Sequence, residues 1–164
     1  MKKLWAPWRM EYVGNTKQKK CFLCRDFKDK KNDRKNYVLY RGKTCFIVFN
    51  AFPYSNGHLL IAPYRHIPDI TRLSDEETLE LMKLSSFATK ILKKGLKCEG
   101  INIGINMGKV SGAGLTGHLH LHVVPRWNGD TNFMPILTDT KVISQALNAT
   151  YKILKALTSR QGNK

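Results

Sequence analysis

The chain has 164 residues, 42% hydrophobic and 24% charged, with a formal net charge of +16. That length suits one domain with a real core, and no apolar run approaches the roughly 18 residues of a membrane span, so no membrane-spanning helix is expected. The charge points to an anionic partner (nucleic acid, an acidic membrane surface or a phosphate-rich small molecule) or to a solvated lysine surface.

The opening "MKK" resembles a secretory n-region, but Arg9 and Glu11 interrupt the apolar residues after it. A cytoplasmic setting with reduced thiols is therefore expected. The aromatic-rich "LWAPWRMEYV" is expected to be tied against a core or a partner chain. Residues 17 to 35 are mostly Lys, Arg, Asn and Asp, interrupted by "CFLC", and read as a loop or short helix. "YVLYRG" and "CFIVFN", separated by Gly42 and Lys43, predict a hairpin. "NAFPYSNG" is a turn-rich loop, and "HLLIAP" predicts a buried strand ended by Pro63. Ser74 and Glu77 have the spacing of a capping box. Leu79, Met82, Phe87, Ile91 and Leu92 then predict a helical apolar stripe, stopped by Gly95. "INIGINM" predicts a strand with Gly104 at a bulge or close approach. "KVSGAGLTG" is a glycine-rich loop, "HLHLHVVP" a strand ended by Pro125, and Val142 to Leu157 a helix. Segregated strands and helices favour an α+β fold with an antiparallel sheet.

Three of the five histidines stand at alternate positions, His118, His120 and His122. On a strand they share one face, and Leu119, Leu121 and Val123 share the other. The leucine face suits a core, and the histidine face lines something polar. Successive histidines would lie about 6–7 Å apart, too far for all three to bind one metal from a flat strand. That spacing suits distinct tasks. The glycines of "GAGLTG" just before the strand can offer backbone N–H groups to a phosphate.

Cys21 and Cys24 form a C-x₂-C pair that can grip half of a tetrahedral zinc. No second such pair exists, and Cys45 and Cys98 sit in apolar or helix-end contexts, so histidine is the better source of the remaining ligands. A redox pair and two coincidentally spaced thiols are the rival readings.

With "HLHLHVV" the chain resembles the histidine triad family of nucleotide hydrolases and transferases. "NAFPYSNGHLLIAPYRH" is similar to that family's other hallmark, an asparagine followed by a Gly-His strand ending in proline. "LWAPWR" and "VVPRWNGDTNFMP" look most like a branch with diadenosine tetraphosphate phosphorylases and hydrolases among its members. The resemblance runs from about Trp5 to Tyr151 and implies a single domain over 1–164. Within it fall an N-terminal arm and zinc knuckle at 1–35, a core at 36–127 and an extension at 128–164. The implied fold is an antiparallel sheet of about five strands with a long helix and a C-terminal helix. A homodimer is also implied, with the helix from Asp75 to Lys94 and the preceding strands at its interface.

The same resemblance implies attack on the α-phosphate of a dinucleoside polyphosphate, with His120 as nucleophile and water or phosphate as acceptor. Neutral imidazole suits that task near pH 7, provided its other nitrogen is held as a donor, as by a backbone carbonyl. His122 and His58 map to positions that bind phosphate oxygens and help the leaving group. Asn50 maps to the ribose contact, and Asn106 with Gly112, Ala113 and Gly114 to the phosphate-side loop. Trp127 is expected near the substrate. The family's structural zinc would take Cys21, Cys24, His66 and His118, and magnesium would accompany the substrate. One departure stands out: many members carry Gln-Ser or Gln-Thr before the histidine strand, where this chain has "GAGLTG". Backbone N–H groups or Asn106 would take over that amide's contact. Two other readings are a purine nucleoside phosphoramidase and a non-catalytic nucleotide- or nucleic-acid-binding module. The latter ranks last, because no recognisable DNA or RNA motif is present. No membrane partner is expected.

Overall fold

The computed structural model describes residues 21–130 and 146–158. The aromatic-rich arm and the first part of the Val142 to Leu157 helix lie outside those residues. In chain order the elements are α1 (Phe22–Lys28), β1 (Val38–Arg41), β2 (Cys45–Phe49), β3 (Leu59–Pro63), α2 (Asp75–Leu96), β4 (Gly100–Ile105), β5 (Leu121–Arg126) and α3 (Leu147–Thr158). Short 3₁₀ turns stand at Lys30–Asn32, Ile70–Arg72 and Lys109–Ser111. The five strands form one antiparallel sheet in the order β1-β2-β3-β5-β4, as the α+β reading expects. No helix among the described residues is long and apolar enough to cross a membrane.

Both faces of the central strands are covered, which is why β2 and β3 are buried at every position. On one face, Ile47, Leu59, Ile61, Leu121 and Val123 pack against Leu84, Ala88, Ile91 and Leu92 of α2 and Leu154 of α3. On the other, Phe46, Val48, Leu60 and Ala62 pack against Leu23 of α1, with Phe22, Phe27 and Tyr64 beside them. The leucine side of the histidine segment is buried as expected, at Leu119, Leu121 and Val123.

The capping box is complete: Ser74 Oγ accepts from the Glu77 N–H, and the Glu77 carboxylate accepts from the Ser74 N–H. Glu77 also takes a two-pronged ion pair from Arg65, at 2.7 and 2.6 Å. The Arg65 guanidinium holds this buried carboxyl down at about 2, against the opposing effect of burial and with help from Ser74. A depressed folded pKa means that the stabilisation is present above the unfolded value of about 4.3 and is lost as pH falls towards 2. Glu77→Gln should therefore cost about 2 kcal/mol at pH 7, and much less at pH 3. Urea unfolding at the two pH values measures that narrowing.

Five local expectations change. Leu79 and Met82 are 56% and 61% exposed, and the core-facing stripe is Leu81, Leu84, Ser85, Ala88, Ile91 and Leu92. The helix carries two apolar lines, and the one with small Ser85 and Ala88 lies under the sheet. Gly95 does not end α2, which runs to Leu96 and closes on Lys97 in the left-handed region. Gly95 instead admits α3, since a Cβ there would lie 2.7 Å from Leu154 Cδ2. Gly104 sits in regular register opposite His122, and a Cβ there would meet nothing within 4 Å. Finally, β5 begins at Leu121 rather than at His118, because the Leu119 N–H leaves the ladder to bond the Ile67 carbonyl at 2.7 Å. Pro125 lies inside the strand, opposite Ile101 of β4 and beyond the reach of β3, whose pairing stops at Val123.

Candidate active site

The histidines are fixed by hydrogen bonds that assign their tautomers. His120 Nδ1 lies 2.8 Å from the His118 carbonyl. A carbonyl only accepts, so Nδ1 carries the proton and the Nε2 lone pair is left for chemistry. Burial pushes the His120 imidazole below its ordinary value, against the pull of that hydrogen bond, which keeps it neutral near pH 7. His58, fully buried on entry to β3, accepts the Tyr54 N–H at Nδ1 (3.1 Å), with the Asn50 amide nitrogen 3.3 Å away. Its Nε2–H must then donate to His122 Nδ1 at 2.9 Å. His122 is thereby set with its Nε2 as the proton-bearing nitrogen. Leu60↔His122 register places His122 on the α1 side of the sheet, and its ring lies 4.9 Å from that of His120.

His120, His122, Asn50 and Tyr54 open on a cavity of about 230 Å³, with His58 beneath them. His120, His122, Gly112 and Gly114 line one part of it, and Asn50 another. Phe22, Phe49, Phe52 and Leu60 add apolar walls, and Arg25, Asp26, Lys35 and Asn36 add polar ones. The Asn50 amide is oriented by accepting the Phe52 N–H at 2.9 Å. Gly112 takes a left-handed backbone (φ 83°) in the loop before β5, a conformation open to glycine at little cost.

A second cluster lies behind the histidine segment. Cys21 and Cys24 Sγ with His66 and His118 Nδ1 all fall within 4.8 Å of one another. Cys21 Sγ is 3.3 Å and Cys24 Sγ 3.5 Å from His118 Nδ1, and Cys24 Sγ is 3.3 Å from His66 Nδ1. Tetrahedral ligands at ordinary metal–S and metal–N bond lengths lie about 3.5 Å apart, so the four atoms fit one ion. His118 Nε2 donates to the Pro63 carbonyl at 2.9 Å, which leaves Nδ1 as the ligating nitrogen. Burial pushes His118 down to about 4, so it stays unprotonated. Gly117 keeps the space beside His66, whose Nε2 would lie 3.2 Å from a Cβ at that position. With no metal, burial and the neighbouring Cys21 raise Cys24 to about 11, and a bound cation reverses that preference.

The HIT domain profile matches residues 31–129. The chain belongs to the HIT family. Over 168 aligned residues it is 36% identical to a Mycobacterium tuberculosis protein named AP-4-A phosphorylase, covering 98% of this chain and 86% of the relative. Among solved structures it resembles a Zn-bound histidine triad family protein from Mycobacterium smegmatis. There the TM-score is 0.68 at 24% identity, over 87% of this chain and 95% of the other. A histidine triad nucleotide-binding protein from Sulfolobus tokodaii gives a TM-score of 0.66 at 23% identity, over 85% of this chain and 90% of the other. These likenesses carry the fold.

Of the HIT residues singled out in the sequence, His58, His120, His122, Asn50, Gly112 and Gly114 meet around the cavity or in the hydrogen-bond chain beneath it. Cys21, Cys24, His66 and His118 meet in the other cluster. Asn106 and Ala113 do not line the cavity. The β4–β5 register ends at Ile105↔Leu121, so Asn106 follows directly towards the position of His120. Trp127, expected near the substrate, packs against the main core, and its indole N–H donates to the Leu96 carbonyl at 3.3 Å. It does not line the cavity of its own chain. Sequence reasoning passed over Phe22, Asp26, Tyr37 and Tyr54, which line the same cavity. Phe22 and Asp26 flank the second cysteine of the knuckle, and that adjacency was the available signal.

Proposed function

We propose that this HIT protein cleaves dinucleoside polyphosphates, diadenosine tetraphosphate foremost, through a nucleotidyl-His120 intermediate. The observation that carries the reading is His120, protonated on Nδ1 by its bond to the His118 carbonyl and presenting Nε2 to a cavity beside His122. Nε2 attacks the α-phosphorus, a P–N bond forms, and the bond to the bridging oxygen breaks. His122 Nε2–H, held in place through His58 and Tyr54, steadies the phosphate oxygens and the departing one. The second step breaks the labile P–N bond with an acceptor oxygen and restores the Nε2 lone pair. Asn50 contacts the ribose, and the backbone N–H groups of the loop at Gly112 and Gly114 face the phosphates, in place of the family's glutamine.

The name of the Mycobacterium tuberculosis relative favours phosphate as the acceptor. Zinc is our choice for the Cys₂His₂ cluster, because two thiolates and two imidazoles suit it. Bound there, it supplies structural cross-linking and no reaction step. Magnesium enters with the polyphosphate. A homodimer in the cytoplasm completes the reading, supported by the apolar side chains that α2 leaves outside, Leu79 and Met82. The products of diadenosine tetraphosphate, with and without inorganic phosphate, test the proposal. ADP plus ATP only when phosphate is present is the expected result. AMP plus ATP in its absence would make the enzyme a hydrolase, and no cleavage under either condition would overturn the reading.

A further inference from the structure

The reaction uses the histidines, the glycine loop and Asn50, and leaves the acid of the cavity lining without a task. Asp26 lies on α1 and lines the cavity at 4% exposure. The lining it shares carries apolar Phe22, Phe49 and Leu60 beside polar Arg25, Lys35 and Asn36. Among the described residues its carboxylate bonds the Arg25 guanidinium, Nε to Oδ1 at 2.8 Å. Arg25 itself is 67% exposed, and such a pair contributes little to stability. Packing therefore does not account for an acid at this position.

We propose that Asp26 is a specificity-determining residue that accepts a hydrogen bond from the exocyclic amine of the nucleotide's adenine. This rests on the nucleotide reading of the cavity. Aromatic and aliphatic walls suit the flat faces of a purine ring, and they give no means of telling one base from another. A carboxylate is an acceptor only. It is satisfied by a base that turns an N–H towards it, and it penalises one that turns a carbonyl or a bare C–H there. Arg25 engages one oxygen, Oδ1, and the proposal gives the other to the ligand. The knuckle fixes the reader in place, since Asp26 follows Cys24 by two residues on the same helix.

Titration calorimetry with AMP and with purine riboside 5′-monophosphate, which differs only by lacking the amine, tests this on the metal-replete full chain. The wild-type protein should bind AMP about tenfold more tightly. Asp26→Ala should bring the ratio close to one, and Asp26→Asn, which keeps an acceptor oxygen, should retain part of it. A merely structural defect would weaken both ligands equally and leave the ratio unchanged, which would overturn the proposal. Equal binding of both nucleotides by the wild type would overturn it too, with the nucleotide reading intact. Failure of the wild type to bind either would overturn both.

Discussion

His120→Ala should lower kcat for diadenosine tetraphosphate by about 10³-fold or more, with the fold unchanged and AMP affinity within a few-fold. The ring of His120 makes its hydrogen bond to a backbone carbonyl, which solvent or a neighbouring group can satisfy once the ring is gone. The cavity walls from α1, Phe49 and Leu60 do not depend on it. Removing the nucleophile therefore removes the two-step route and leaves the binding surface. His58→Ala should act differently. It strips the Tyr54 N–H of its acceptor and His122 of its donor, so His122 loses its assigned tautomer. That variant should lose both stability and rate. Steady-state kinetics with AMP titrations separate the two patterns, and a His120→Ala protein with wild-type turnover would sink the mechanism.

Loss of the metal is the second large effect. Cys21→Ser, or exhaustive chelation, should take zinc from one per chain to well below it and lower stability by about 3 kcal/mol or more, roughly 10 °C in Tm. The reason is local. The two thiols flank the start of α1, which also holds to the sheet through Leu23, Phe22 and Phe27 and through Arg41 of β1, whose guanidinium donates to the Asp26 and Phe27 carbonyls. The imidazoles come from the segment after β3 and from the start of the histidine run. One ion thus ties α1 to both. Because α1 also carries Phe22, Arg25 and Asp26 of the cavity wall, AMP binding should weaken in the same variant. Cys98→Ser, a change at a buried cysteine outside the cluster, should leave the metal content at one per chain. Elemental analysis with thermal melts checks both variants, and full metal content in Cys21→Ser would contradict the ligand set.

Much of this was legible in the sequence where the signal is local. Alternation placed Leu119, Leu121 and Val123 in the core, and the Ser74–Glu77 spacing placed the start of α2. Contacts distant in the chain were harder. Residue spacing alone selected neither His66 nor His118 as partners of the cysteines, and family resemblance supplied both. The phase of α2 was missed because two apolar lines run along it, and only the sheet decides between them. Gly95 reads as a stop in one dimension and proves to be a point of close helix contact in three. Asp26 was invisible for a related reason. In a lysine-rich stretch one aspartate reads as surface, and only folding turns that side of the helix into the cavity.

The central claim is that His120 forms a bond to phosphorus, and the stereochemical course at the α-phosphorus tests it most directly. A substrate made chiral there by oxygen isotopes or sulfur, followed through one turnover, should yield products with retained configuration, because two in-line displacements each invert it. Inversion would mean a single direct attack by the acceptor, and would contradict the account.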